Sequence, residues 1–143
     1  MAGFQFTETM AGHYTHDGKE LPISFSATAR ADSVWQFLKD RMATLEGVVE
    51  AEGLATSSPM HGTITIDPFI GRVIRYSFEF HAADGKAYRF EGQKDVTPTA
   101  PVASMTTLPA EITDEKGRRY AEALMHFEAR HLLPFLASWR PVL

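Results

Sequence analysis

"RVIRYSFEFHA", residues 72–82, alternates without a break. Ile74, Tyr76, Phe78 and Phe80 fall on one parity; Arg75, Ser77, Glu79 and His81 fall on the other. A strand points successive side chains to opposite faces, so one face here is apolar and the other wet. That is the signature of an antiparallel sheet with one face on a core. The run "AYRFEGQKD" (87–95) continues the pattern, with Tyr88 and Phe90 on one side and Arg89, Glu91 and Gln93 on the other. "ADGK" (83–86) joins the two runs. Asp-Gly supplies the positive φ that a tight hairpin needs.

Working outward, further strands are expected near 4–15, 21–31, 44–52, 60–67, 103–113 and 117–127, with turns at "HDGK" (16–19) and "DEKG" (114–117). Two segments carry helical spacing instead. In "SVWQFLKDRM" (33–42), Val34, Phe37, Leu38 and Met42 share a face. Ser33 and Gln36 have capping-box spacing, with Asp32 as the alternative cap. Leu132, Phe135, Leu136 and Trp139 follow i, i+3, i+4, i+7, and Pro134 must lie in the first turn, so this helix starts near His131. Two helices cannot cover the apolar faces of eight strands, whereas closing the sheet on itself buries them and removes its edges. The expectation is a mainly β single domain over 1–143: an antiparallel eight-stranded barrel of lipocalin-like (calycin) type with two short helices. A two-sheet sandwich is the alternative. Trp35 or Trp139 should pack a helix on the sheet, and the Pro-rich "TPTAPVA" (97–103) is expected as a mobile lid or rim.

Composition narrows the function. The 143 residues are 44% hydrophobic and 22% charged, as in ordinary globular domains. The net charge of -4, without blocks of like charge, argues against nucleic acid and against an anionic membrane surface as partner. With no cysteine, disulfides, thiolate catalysis and Cys-ligated metals are excluded. No basic start followed by an apolar run suggests a signal peptide, and no apolar stretch is long enough to span a bilayer, so the cytoplasm is the expected compartment.

Several motifs, in order, carry a resemblance: "FTETMAG" (6–12), "DSVWQFLKD" (32–40), "LEGVVEAEGL" (45–54), "HGTITI" (61–66), "IRYSFEFHAADGKAYRFEGQKDV" (74–96), "TTLPAEI" (106–112) and "HFEARHLLPFLASW" (126–139). Together they resemble an accessory domain of bacterial cholesterol-oxidase-like (GMC-type) flavoenzyme polypeptides and of some lipid-hydrolase-like ones, here as a free-standing domain. The chain has no Gly-rich dinucleotide fingerprint, so the resemblance implies neither oxidase activity nor a cofactor. It implies a lean toward sterol or lipid chemistry.

The informative residues are polar groups on apolar faces. Phe4, Phe6, Glu8 and Met10 share a parity, and Lys94 continues the face of Tyr88, Phe90 and Gly92. An unpaired buried charge costs several kcal/mol, so each needs a partner, and the simplest is the other. In a closed barrel the first strand can neighbour a late one. The pair reads either as a buried ion pair fixing register or as a polar floor under an apolar pocket, orienting a ligand hydroxyl or carbonyl. Its catalytic version is a Glu base with a Lys electrophile. Thr106, on the parity of Leu108, Ala110 and Ile112, is a candidate ligand hydrogen-bonder. Tyr76, Phe78, Tyr88 and Phe90 are core residues and candidate pocket lining. Gly62 and Gly92, on inward faces, either let strands coil or leave room for a guest. His13 and His16 straddle a turn with no third ligand nearby, and His61, His81, His126 and His131 do not cluster, so no metal is expected. Glu50 and Glu52 share a face with each other, read as the wet one. There is no G-x-S-x-G or S-x-x-K motif.

The sequence therefore predicts a non-catalytic module that binds a small apolar molecule, in the sterol or lipid class. The alternatives are an accessory domain partnering an oxidoreductase or another copy of itself, and a small enzyme using Glu8 and Lys94 as an acid–base pair.

Overall fold

The computed structural model describes residues 2–68, 70–97 and 99–142. β1 (Gly3–His16) and β2 (Lys19–Ala31) are joined at Asp17-Gly18, where both residues take positive φ, 49° and 76°. That is the two-residue turn whose twist matches the strands it joins. α1 (Val34–Asp40) leads to β3 (Met42–Ala51), β4 (Ala55–Asp67), β5 (Val73–His81) and β6 (Ala87–Asp95). α2 (Pro101–Thr106) precedes β7 (Thr107–Asp114) and β8 (Arg119–His126). A short 3-10 turn (Ala129–His131), α3 (Leu132–Ser138) and β9 (Arg140–Val142) follow.

Each of the first seven strands pairs antiparallel with the next, and β8 returns to β1. The result is a closed up-and-down barrel rather than a sandwich. Closure is uneven along β1. Residues 11–15 of β1 pair with β8, residues 3–5 pair with the extra strand β9, and the stretch between meets β2 on one edge only.

Inward parity matches the alternation in the sequence. Phe78 and Phe90 face each other across the β5–β6 ladder with ring centroids 4.6 Å apart, and Phe25 packs edge-on against both. With Met10, Tyr14 and Phe80 they make a packed interior toward the hairpin end, where β1–β2, β3–β4, β5–β6 and β7–β8 turn. The inward glycines create no room. A Cβ on Gly62 would lie 1.9 Å from the Ser77 carbonyl oxygen, so glycine here lets two strands approach closely. At Gly92 a Cβ would lie 2.9 Å from Cδ1 of Leu108, which already occupies the space.

Three α-helices are present among the described residues where two helices are expected. The expected strand over 103–113 begins only at Thr107, because α2 takes the preceding residues. Pro101 stands at the start of α2, where its fixed φ suits a helix and its missing N–H goes unneeded. Part of the expected 97–103 rim is thus helical, and Pro98 within it lies outside the described residues. α3 forms as read, and α1 does so except that it stops at Asp40: Arg41 takes a left-handed conformation (φ 60°) and Met42, expected on the helix face, begins β3. Ser33 Oγ accepts from the Gln36 N–H at 3.3 Å, and Pro134 lies in the first turn of α3. Trp139, just past α3, stacks on Phe6 at 4.4 Å. All the helices gather at the barrel end opposite the hairpins.

Candidate functional site: a Lys–Tyr–Glu cluster in the helix-end cavity

A cavity of about 370 Å³ opens at the helix end. Ile64 and Ile66 on β4, Ile74 on β5 and Phe6 on β1 form apolar wall, while Phe127, Leu132, Phe135 and Trp139 form its cover with Met105 and Thr106. Glu8, Tyr76 and Lys94 interrupt that lining. Register sets their depth. Lys94 is opposite Ile74, and Tyr76 lies between Ile64 and Gly92. Tyr76 therefore stands one layer nearer the mouth than the Phe78–Phe90 pair, and Lys94 two layers nearer.

The three polar groups form one chain. Lys94 Nζ donates to Tyr76 Oη at 3.0 Å, and Tyr76 Oη donates to Glu8 Oε1. Lys94 Nζ is 3.8 Å from Glu8 Oε2, close enough for an ion pair but too far for a hydrogen bond. The ammonium also lies 5.1 Å from the Tyr76 ring centroid, within cation–π range. Lys94 is 3% exposed and Glu8 12%. Burial holds the Lys94 ammonium below the usual lysine range, and the Glu8 carboxylate opposes that drift. Burial pushes the Tyr76 phenol well above its usual value, and Glu8 pushes in the same direction. Tyr76 is therefore a protonated donor throughout the ordinary pH range.

The expected Glu8–Lys94 contact is present, but by a different route. β6 is not a neighbour of β1; it lies between β5 and β7. The Glu8 side chain crosses the lumen to reach β5 and β6. A narrow barrel brings opposite walls within side-chain reach.

Of the other expected site residues, Tyr76 and Thr106 border the cavity, Thr106 from the end of α2 rather than from a strand. Phe78, Tyr88 and Phe90 do not. Phe78 and Phe90 are fully buried in the layer below, and Tyr88 packs edge-on against Tyr120 toward the hairpin end, at 4.9 Å. The sequence reading did not place the C-terminal cover at the site. Its signal is the apolar face of the 132–139 helix, which by spacing alone indicates only packing on the sheet.

That cover replaces missing strand. Along the edge of β1 that β8 has left, Ser138 Oγ accepts from the Thr7 N–H at 2.7 Å and donates to the Phe135 carbonyl at 2.6 Å. Rings do the rest: Phe135 meets Phe6 at 5.4 Å and Phe127 at 5.5 Å. No residue of α3 is buried. Among the described residues, twelve large apolar side chains are exposed, and all but Val48 and Leu124 lie at this end of the barrel.

A larger concavity of about 580 Å³ runs over the outer faces of β6–β8. Arg75, Glu91, Asp95 and Glu111 border it, so it is a charged surface groove apart from the interior. Among the described residues, no three His, Asp or Glu side chains converge as metal ligands would, and no helix is long and apolar enough to cross a membrane. No protein-family model, curated protein or solved structure matches this chain.

Proposed function

We propose that the barrel binds a small apolar molecule in the helix-end cavity and holds its polar head against Glu8 and Lys94. One observation carries this reading: a mostly apolar cavity opens to one end of a closed barrel with a buried Lys–Tyr–Glu chain on its wall. Apolar cavities with a few convergent polar groups are the usual form of small-molecule sites, and about 370 Å³ is near the small end of their range, roughly 300–1,000 Å³. The gap between Lys94 Nζ and Glu8 Oε2 selects the head group. A hydroxyl accepts from the ammonium and donates to the carboxylate. A ketone satisfies only the lysine, and a carboxylate is repelled by Glu8. The resemblance to accessory domains of cholesterol-oxidase-like polypeptides directs the choice of test compounds toward sterols and lipids.

The test is native mass spectrometry of the purified protein, followed by thermal shift with matched alcohols, ketones and acids, sterols and fatty acids among them. A co-purified mass or an alcohol-selective rise in melting temperature is expected. No bound mass and no stabilisation by any apolar compound would refute binding.

A second reading, a small enzyme with Glu8 and Lys94 as an acid–base pair, is favoured by the convergence of the Tyr76 hydroxyl on both groups. It predicts chemical change in a bound compound, lost in Lys94→Met. The remaining expectation, an accessory domain docking on an oxidoreductase, would use the exposed apolar residues around the mouth.

A further inference from the structure

The cavity mouth is ringed by apolar side chains that stand exposed among the described residues. Trp35 (59% exposed) and Leu38 (48%) project from α1, Ile70 (78%) from the β4–β5 loop, and Leu133 (76%) and Leu136 (54%) from α3, with Trp139 (45%) just beyond it. Phe4 joins the two sides of this collar, touching Phe37 of α1 at 5.0 Å and Trp139 at 5.5 Å. The only two tryptophans of the chain are both here.

Charge is segregated along the same axis. Apart from Glu8 and Lys94, the helix end holds six of the cationic side chains and five of the carboxylates, while the outer strand faces and hairpins hold the other seven and twelve. The net charge of -4 thus comes from everywhere except the mouth. Arg30 and Arg130 are paired with Asp32 and Glu128, at 2.7 and 2.8 Å. Lys39, Arg41, Arg72 and Arg140 have no ion-pair partner among the described residues.

We infer that this collar docks the barrel, mouth first, on a phospholipid surface. Apolar tips from separate elements, with unpaired cations among them and both indoles at this end of the barrel, match the layering of a bilayer interface. Apolar side chains enter the acyl boundary, indoles sit at the headgroups, and Lys and Arg reach phosphate. The acidic remainder of the barrel is repelled by the same surface and turns the mouth toward it. A second copy fits less well, because its mouth carries the same slight cationic excess and offers no net opposite charge. The bulk charge that argued against a membrane surface is therefore on the wrong side of the molecule to prevent docking. This inference rests on the outer surface alone and does not require the cavity to be occupied.

The two tryptophans report directly. The protein is titrated with phosphatidylcholine vesicles containing about one-fifth phosphatidylglycerol, following indole emission, quenching by brominated acyl chains and co-flotation. A blue shift, quenching and flotation that salt weakens without abolishing are expected. Leu133→Glu and Ile70→Glu, at freely exposed positions, should each weaken vesicle binding at least about tenfold with the melting temperature unchanged. Unshifted indole emission with no flotation would overturn the inference. So would vesicle binding indifferent to both variants, or a lipid-free dimer that protects Trp35 and Trp139 from an aqueous quencher and is broken by the same variants.

Discussion

Replacing Glu8 with Gln removes a charge from the cluster while nearly keeping its shape. Lys94 would remain 3% exposed, with the Tyr76 hydroxyl as its hydrogen-bond partner. Breaking a buried ion pair from one side costs roughly 3–5 kcal/mol. The 3.8 Å separation and the 12% exposure of Glu8 place this pair at the lower end. An independent ceiling exists, because the folded chain can release the lysine proton instead. Discharging a lysine of unperturbed pKa about 10.4 at pH 7 costs about 4.6 kcal/mol, and no larger penalty can persist. The expected loss is about 3 kcal/mol at pH 7, or a melting temperature lower by about 6–12 °C for a chain of this size.

The pH dependence separates this account from a generic packing defect. Burial already holds Lys94 below its reference value of 10.5, and removing Glu8 lowers it further. Between the folded and unfolded pKa values the unfolded chain binds more protons, so stability rises with pH. The deficit of Glu8→Gln should therefore be largest near neutrality and shrink as pH rises toward 10.5, above which Lys94 is discharged in both states. Urea denaturation at pH 7 and at higher pH measures it directly. Glu8→Gln with Lys94→Met leaves no unpaired charge and should recover most of the loss. An unchanged midpoint at pH 7, or a deficit that grows with pH, would refute the reasoning.

Three further outcomes follow from the same geometry. Tyr76→Phe removes the bridge between Lys94 and Glu8 and should cost about 1–3 kcal/mol in denaturant unfolding, with weaker binding of any alcohol found to stabilise the parent. Gly62→Ala places a Cβ 1.9 Å from the Ser77 carbonyl oxygen and should lower the melting temperature more than Gly92→Ala, whose Cβ meets the side chains of Leu108 and Ala110 at 2.9–3.0 Å; equal effects would contradict the close-approach argument. Ser138→Ala leaves the Thr7 N–H without its acceptor, costs about 1 kcal/mol, and should speed hydrogen exchange at Thr7 and in α3 while β5 and β6 stay protected.

The barrel was legible because alternation reports faces. Every strand that closes it carries a period-two apolar stripe, and Glu8 and Lys94 announced themselves by standing on those stripes. Parity, however, says nothing of depth. Tyr76, Phe78 and Phe90 all face inward, yet only Tyr76 borders the cavity, because the ladders set Phe78 opposite Phe90 and Ile74 opposite Lys94. Depth follows from register and shear, which involve strands far apart in the chain. The Glu8–Tyr76 contact was invisible for a related reason: it spans the lumen, and its length depends on barrel diameter. α2 and β9 were missed because six and three residues are too few to show a period.

The position of Glu8 joins the fold to the proposed chemistry. β8 ends at His126, opposite Ala11, and β9 begins its pairing only near Gln5. Glu8 stands within the interval, where one edge of β1 faces a helix and a serine instead of a strand. A ladder on both edges would have closed the wall beside it with backbone. Here the covering residues are side chains of a helix held by ring contacts and Ser138, and these can shift without breaking a ladder. Lys94 and Tyr76, by contrast, lie on strands paired on both sides, and they are nearly inaccessible. The cluster thus has a fixed half on β5 and β6 and an accessible half on β1. In the proposed site the carboxylate, at 12% exposure, is more accessible than the ammonium at 3%, and that difference favours a hydrogen-bond donor as the leading atom of the ligand.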